Sequence, residues 1–198
     1  MIKNVIFDIG NVLLDFCWKD HIARFGFQGE KADRIAQAMM LGPIWPKLDL
    51  GLESDEDILE QFVAHTPELE QEIRLVFSDL STIVREYEGS VDWIESLKAR
   101  GYHTYYLSNY GERIRREASK ELSFLSHMDG GIMSYTVHLA KPDPAIYQTL
   151  LDRYGLKAEE CVFLDDTVRN VEAAQALGIV GIVVTSQEQA KKELETLL

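Results

Sequence analysis

Asn4-Val5-Ile6-Phe7-Asp8-Ile9-Gly10-Asn11 decides the fold: a short apolar run stops abruptly at an acidic, glycine-containing turn. Such a run reads as a strand buried on both faces, the kind found in parallel sheets sandwiched between helices. The rest of the chain supplies the partners. A helix from Ser90, with Val91, Ile94 and Leu97 on one face and Gly101 as its stop, leads into a second strand, His103–Leu107. Asp143-Pro144 opens another helix, striped by Ile146, Tyr147, Leu150, Leu151 and Tyr154 and ended by Gly155. Cys161–Leu164 is then a strand closed by Asp165-Asp166-Thr167, Val168–Leu177 a helix, Ile179–Val184 a strand and Gln187–Leu198 a helix. This alternation predicts an α/β fold, a doubly wound parallel sheet of Rossmann type, with its chemistry at the carboxyl ends of the strands.

Between the first two strands the alternation breaks. Residues 18–88 carry helical patterns, including a helix opened by Ser54 and Asp57 and striped by Ile58, Leu59, Phe62 and Val63. The expected organisation is therefore a catalytic core of residues 1–17 and 89–198 with a helical insertion at 18–88. From Asp49 to Glu72 the insertion is rich in acids and has no Lys or Arg, which reads as solvated helix faces.

Composition narrows the function. The 198 residues are 46% hydrophobic and 27% charged, typical of a globular protein, and the net charge of −13 repels nucleic acid and anionic membranes. A small-molecule partner is expected instead, for a monomer or homodimer. Without an apolar run of about 18 residues or a signal-peptide pattern, a cytoplasmic location is expected. Cys17 and Cys161 form no metal or disulfide pattern.

Four polar clusters fall where strands should end: Asp8-Ile9-Gly10-Asn11, Ser108-Asn109, Lys141-Pro142 and Asp165-Asp166. Each alone is as readily a turn, a cap or a surface lysine. Together on one sheet they gather three carboxylates whose mutual repulsion calls for a cation. Magnesium, which takes oxygen ligands, suits Asp8, Asp166 and the Gly10 carbonyl, and Lys141 can neutralise a phosphate and a carboxylate together.

In order and spacing these clusters resemble the haloacid dehalogenase superfamily. Phe7–Val12, Leu107–Asn109, Lys141–Tyr147 and Phe163–Asp166, followed by Asn170 and Ala173-Ala174, look like its four motifs. The likeness is greatest to a bacterial subgroup reading Asp-x-Gly-Asn-Val, which includes an α-glucose 1-phosphate phosphatase. The resemblance implies a magnesium-dependent phosphatase acting on a small phosphate ester, with the insertion as a helical cap. Asp8 would be the nucleophile and a metal ligand, with Gly10 and Asp166 completing the metal shell and Asp165 orienting Lys141. Ser108, Asn109, Lys141 and Asn11 would hold the phosphoryl group.

Where most phosphatases of that superfamily carry an acid/base aspartate, two residues past the nucleophile, this chain has Gly10. The substitution fits a good leaving group, such as the anomeric oxygen of a sugar 1-phosphate; Asp15 is a candidate replacement donor. Trp18, Trp45 and Pro46 are candidate contacts to the leaving group. The alternatives are a metal-free dehalogenase, whose site has no use for the Asp165-Asp166 pair, a receiver-type phospho-acceptor, which has the reverse motif order, and a phospholigand-binding protein without turnover.

Overall fold

Val5 and Phe7 join one core cluster and Ile6 the other, so both faces of the first strand are covered, as its unbroken apolar run requires. The computed structural model describes all 198 residues. In chain order it runs β1 (Asn4–Phe7), β2 (Leu14–Phe16), α1 (Trp18–Arg24), α2 (Gly29–Ala38), α3 (Trp45–Leu50), α4 (Asp55–His65), α5 (Glu70–Phe77), β3 (Val84–Glu86) and α6 (Ser90–Ala99). It continues with β4 (His103–Ser108), α7 (Glu112–Glu117), β5 (Gly130–Met133), α8 (Pro144–Tyr154), β6 (Cys161–Asp165), α9 (Val168–Ala176), β7 (Val180–Val183) and α10 (Gln187–Glu195).

The main sheet is parallel throughout, in the order β5-β4-β1-β6-β7. Helices cover both faces, the doubly wound arrangement that the alternation predicts. On one side Trp93 of α6 meets Phe7 edge-on at 4.9 Å, and on the other Tyr147 of α8 meets Phe163 at 5.7 Å. Phe7 lies opposite Leu164 in the register, so Asp8 and Asp165 leave the sheet at the same level. The strand order reverses around β1, which opens a crevice at the carboxyl ends of the strands.

Two departures from the sequence reading concern short strands. Residues 18–88 are not wholly helical, because β3 pairs antiparallel with β2, Leu14 opposite Glu86, at the base of the insertion. Three residues per strand are too few to show an alternating pattern. The edge strand β5 carries two glycines, which lack β propensity. Gly131 is nonetheless demanded there, since a Cβ would stand 2.4 Å from the Tyr106 carbonyl oxygen.

The five helices between β2 and β3 pack their apolar stripes together, with Phe62 between Trp45 at 6.2 Å and Phe77 at 5.8 Å. As expected, α4 starts at Ser54, whose Oγ accepts from the Asp57 N–H at 3.1 Å. Both cysteines are buried free thiols, and no helix is long and apolar enough to cross a membrane.

Candidate active site

Asp8 follows β1 directly, and one of its oxygens is saturated. Oδ1 accepts from the Ile9 N–H at 2.7 Å and Ser108 Oγ at 2.7 Å, and lies 2.9 Å from Lys141 Nζ. Oδ2 has no protein hydrogen bond, so it is the oxygen available for chemistry.

The ammonium of Lys141 also reaches Asp165 Oδ2 at 2.6 Å, and its side chain is only 1% exposed. Asn109 fixes the backbone there: its amide nitrogen donates to the Lys141 carbonyl at 3.0 Å and its oxygen accepts the Lys141 N–H at 2.8 Å. Asp165 spends its remaining capacity on the Thr167 N–H at 2.7 Å and on Asn170 Nδ2 at 3.1 Å. Asp166, half exposed, accepts from Asn11 Nδ2 at 2.8 Å and Thr167 Oγ1 at 3.3 Å. Asn11 reaches it from a left-handed backbone (φ 55°), which asparagine tolerates better than most residues.

One carboxylate oxygen from each of Asp8, Asp165 and Asp166 lies within 4.8 Å of the others. Burial pushes Asp8 up to about 7, with Lys141 pulling it down and Asp165 adding repulsion. Burial also acts against the charge on Lys141, but the two carboxylates outweigh it and hold the ammonium above its ordinary value. The result is a buried ammonium bridging two carboxylates.

Above these groups opens a cleft of about 240 Å³. Of the residues expected to act together, Asp8, Gly10, Asn11, Ser108, Asn109 and Asp166 line it, while Lys141 and Asp165 lie below its floor. Trp45 lines it too. Trp18, Pro46 and Asp15 do not; Asp15 instead accepts from Cys17 Sγ at 3.2 Å within the small ribbon.

The sequence reading missed Asp49 and Tyr110. Among the acidic residues of the insertion, Glu53, Glu56, Asp57, Glu60, Glu68 and Glu70 are exposed, as solvated faces should be, and the half-buried Asp55 and Glu72 pair with Arg116 and Lys31. Asp49 departs from that expectation: it is half-buried on the cleft wall, where burial and then the charge of Asp8 push it up to about 7.

Tertiary contacts of α3 put Asp49 there. Ser134 Oγ accepts the Tyr110 N–H at 2.8 Å and donates to the Asp49 carbonyl, and the His138 Nδ1–H donates to the Leu50 carbonyl at 2.9 Å. Gly51, at φ 62°, lets the end of α3 settle on Tyr135, where a Cβ would be 2.9 Å from the tyrosine Cβ. No local pattern announces these contacts. The one available hint is the distance of Asp49 from the helical run that follows Ser54.

Residues 2–178 match the haloacid dehalogenase-like hydrolase family. A sesquiterpene phosphatase of Aspergillus oryzae is 26% identical over 99% of this chain and 96% of its own length. A phosphorylated carbohydrates phosphatase of Thermotoga maritima is 30% identical over 71% of this chain and 63% of its own. Among solved structures, a haloacid dehalogenase family enzyme of Bacteroides thetaiotaomicron, in complex with magnesium and inorganic phosphate, is 22% identical. It superimposes with a TM-score of 0.72 over 94% of this chain and 96% of that one. Other relatives are longer: the chain spans 19% of the length of two proteins from mouse.

Proposed function

The chain belongs to the haloacid dehalogenase-like hydrolases, and from that premise we propose that it is a magnesium-dependent phosphatase of a small phosphorylated metabolite. The observation that carries this reading is the state of Asp8: one oxygen held by Lys141, Ser108 and a backbone N–H, the other without a hydrogen bond, at the floor of a cleft. A carboxylate so oriented attacks phosphorus in line with the ester oxygen. The P–O ester bond breaks, an aspartyl phosphate forms, and water then cleaves it to release inorganic phosphate and restore Asp8. Asn11 Nδ2 and the Gly10 N–H, which has no protein partner, receive the phosphoryl oxygens, while Ser108 holds Asp8. Lys141 acts from beneath, neutralising Asp8, and Asn109 and Asp165 set its position.

The donor set fits magnesium. Oxygens on opposite sides of such an ion stand about 4 Å apart, and the carboxylate oxygens of the cluster lie within 4.8 Å of one another. Asp8, Asp166 and the Gly10 carbonyl would hold it, since the oxygens of Asp165 are already committed. Bound there, the ion supplies positive charge to the transferring phosphoryl group. The T. maritima and A. oryzae relatives and the magnesium and phosphate in the B. thetaiotaomicron structure support the reading.

The likeness to the Asp-x-Gly-Asn-Val subgroup favours a sugar phosphate, with a sugar 1-phosphate first among candidates. We assign α1–α5 as a cap over a core of residues 1–17 and 89–198. Phosphate release from a panel of sugar 1-phosphates, sugar 6-phosphates and isoprenoid phosphates, with magnesium or with EDTA, tests this. Hydrolysis that is abolished by EDTA and strongest for sugar 1-phosphates is expected; undiminished activity in EDTA overturns the metal assignment, and preference for the isoprenoid esters overturns the substrate.

A further inference from the structure

Loss of an ordinary alkoxide from phosphorus requires a proton, and none of the groups on the sheet side of the cleft is free to give one. Asp8 is the nucleophile, Asp166 belongs to the metal shell, Asp165 is saturated by Lys141, Thr167 and Asn170, and Lys141 is buried beneath the floor. Gly10 has no side chain, and a Cβ built on it would meet nothing within 4 Å.

The opposite wall is different. Asp49 lines the cleft with its carboxyl in no hydrogen bond or ion pair, near enough to Asp8 to feel its charge. Beside it, Tyr110 is 5% exposed. Its hydroxyl is buried away from solvent and without a partner, so Tyr110 contributes to the cleft as a wall and not as a polar group open to it. An unpaired carboxyl on the wall that faces the nucleophile is placed to meet the leaving side of a bound ester. Ser134, bonded to the backbones of both residues, ties Asp49 to the loop that follows β4, whose last residue is Ser108.

We infer that Asp49 is the proton donor to the leaving oxygen. This rests on the phosphatase reading above. As the Asp8 carboxylate bonds to phosphorus, the electron pair of the breaking P–O bond passes to the ester oxygen, which takes the carboxyl proton of Asp49 and departs as a neutral alcohol. The Asp49 carboxylate then accepts a proton from the water that attacks the aspartyl phosphate, so the donor is regenerated as inorganic phosphate leaves.

The test compares Asp49→Asn with the unaltered protein on glycerol phosphate, a poor leaving group, and p-nitrophenyl phosphate, a good one, both with magnesium. We expect kcat/KM to fall on the order of 10²-fold or more for the glycerol ester and at least ~10-fold less steeply for the nitrophenyl ester. Adding Gly10→Asp to Asp49→Asn should recover glycerol phosphate hydrolysis, because the new carboxyl enters open space beside Asp8. Equal losses on both esters in a variant of unchanged Tm would overturn the proton-donor role and leave the phosphatase reading standing. Absence of hydrolysis of both esters by the unaltered protein would overturn both.

Discussion

Lys141 has a buried ammonium between two carboxylates, and the cost of changing it follows from what it would leave behind. Lys141→Met should lower stability by about 3–5 kcal/mol, because Asp8 and Asp165 lose their shared counter-charge in a desolvated place. Urea unfolding should show this, and adding Asp165→Asn should recover part of it, since one of the stranded charges is then removed. Asp8→Asn is nearly isosteric but a poor nucleophile: we expect at least about a 10³-fold loss of phosphate release with an unaltered circular dichroism spectrum. Turnover unchanged in that variant would exclude Asp8 as the phosphoryl acceptor. The roles of Asp8, Asp166 and Lys141 could be proposed from sequence because each directly follows, or closely precedes, a recognisable element. The place of Asp49 could not, for in the sequence it is one more acid of a charged insertion, and only the packing of α3 brings it to the cleft.

At the scale of elements, α3 is positioned by glycine. Gly51→Ala puts a Cβ against Tyr135 at φ 62°, and we expect it to cost more than about 1 kcal/mol, or a few degrees of Tm. A Tm within one degree of the unaltered protein would mean that the helix end relaxes freely.

A second element-level expectation concerns His21, fully buried between α1 and α5, where Nε2–H donates to the Val76 carbonyl at 3.3 Å and Nδ1 accepts from Thr82 Oγ1 at 2.9 Å. Burial holds its pKa below the ordinary value. The unfolded chain therefore takes up a proton near pH 6.5 that the folded one refuses, and this stability is complete above that pH and declines as pH falls through it. Unfolding free energies at pH 7.5 and 5.5 should differ less in His21→Gln than in the unaltered protein. The helices themselves were readable from Ser54, Gly101, Asp143 and Gly155, which cap or stop them. The landing place of α3 was not, since Gly51 on Tyr135 and Ser134 on Asp49 are long-range contacts with no local trace.

For the molecule as a whole, a net charge of −13 places the strongest demand for cations at the carboxylate cluster. Magnesium that binds only the folded state should raise Tm in proportion to the logarithm of its concentration above the dissociation constant, by an amount equivalent to about 2.7 kcal/mol at a hundred times that constant. Sodium chloride at equal ionic strength should not reproduce that rise, and Asp166→Ala should remove most of it. A magnesium effect matched by sodium would point to general screening. The parallel sheet was legible because β1 and β6 are apolar on both faces; β5, β2 and β3 escaped notice because two glycines, or three residues, carry too little pattern.

The β2–β3 ribbon has a consequence for how such chains diversify. Since the excursion departs and returns through one antiparallel pair, a foreign segment could be spliced between the same two strands without disturbing the order of the main sheet. With Asp49 aboard that cassette, a chimera built this way would exchange reactivity along with shape.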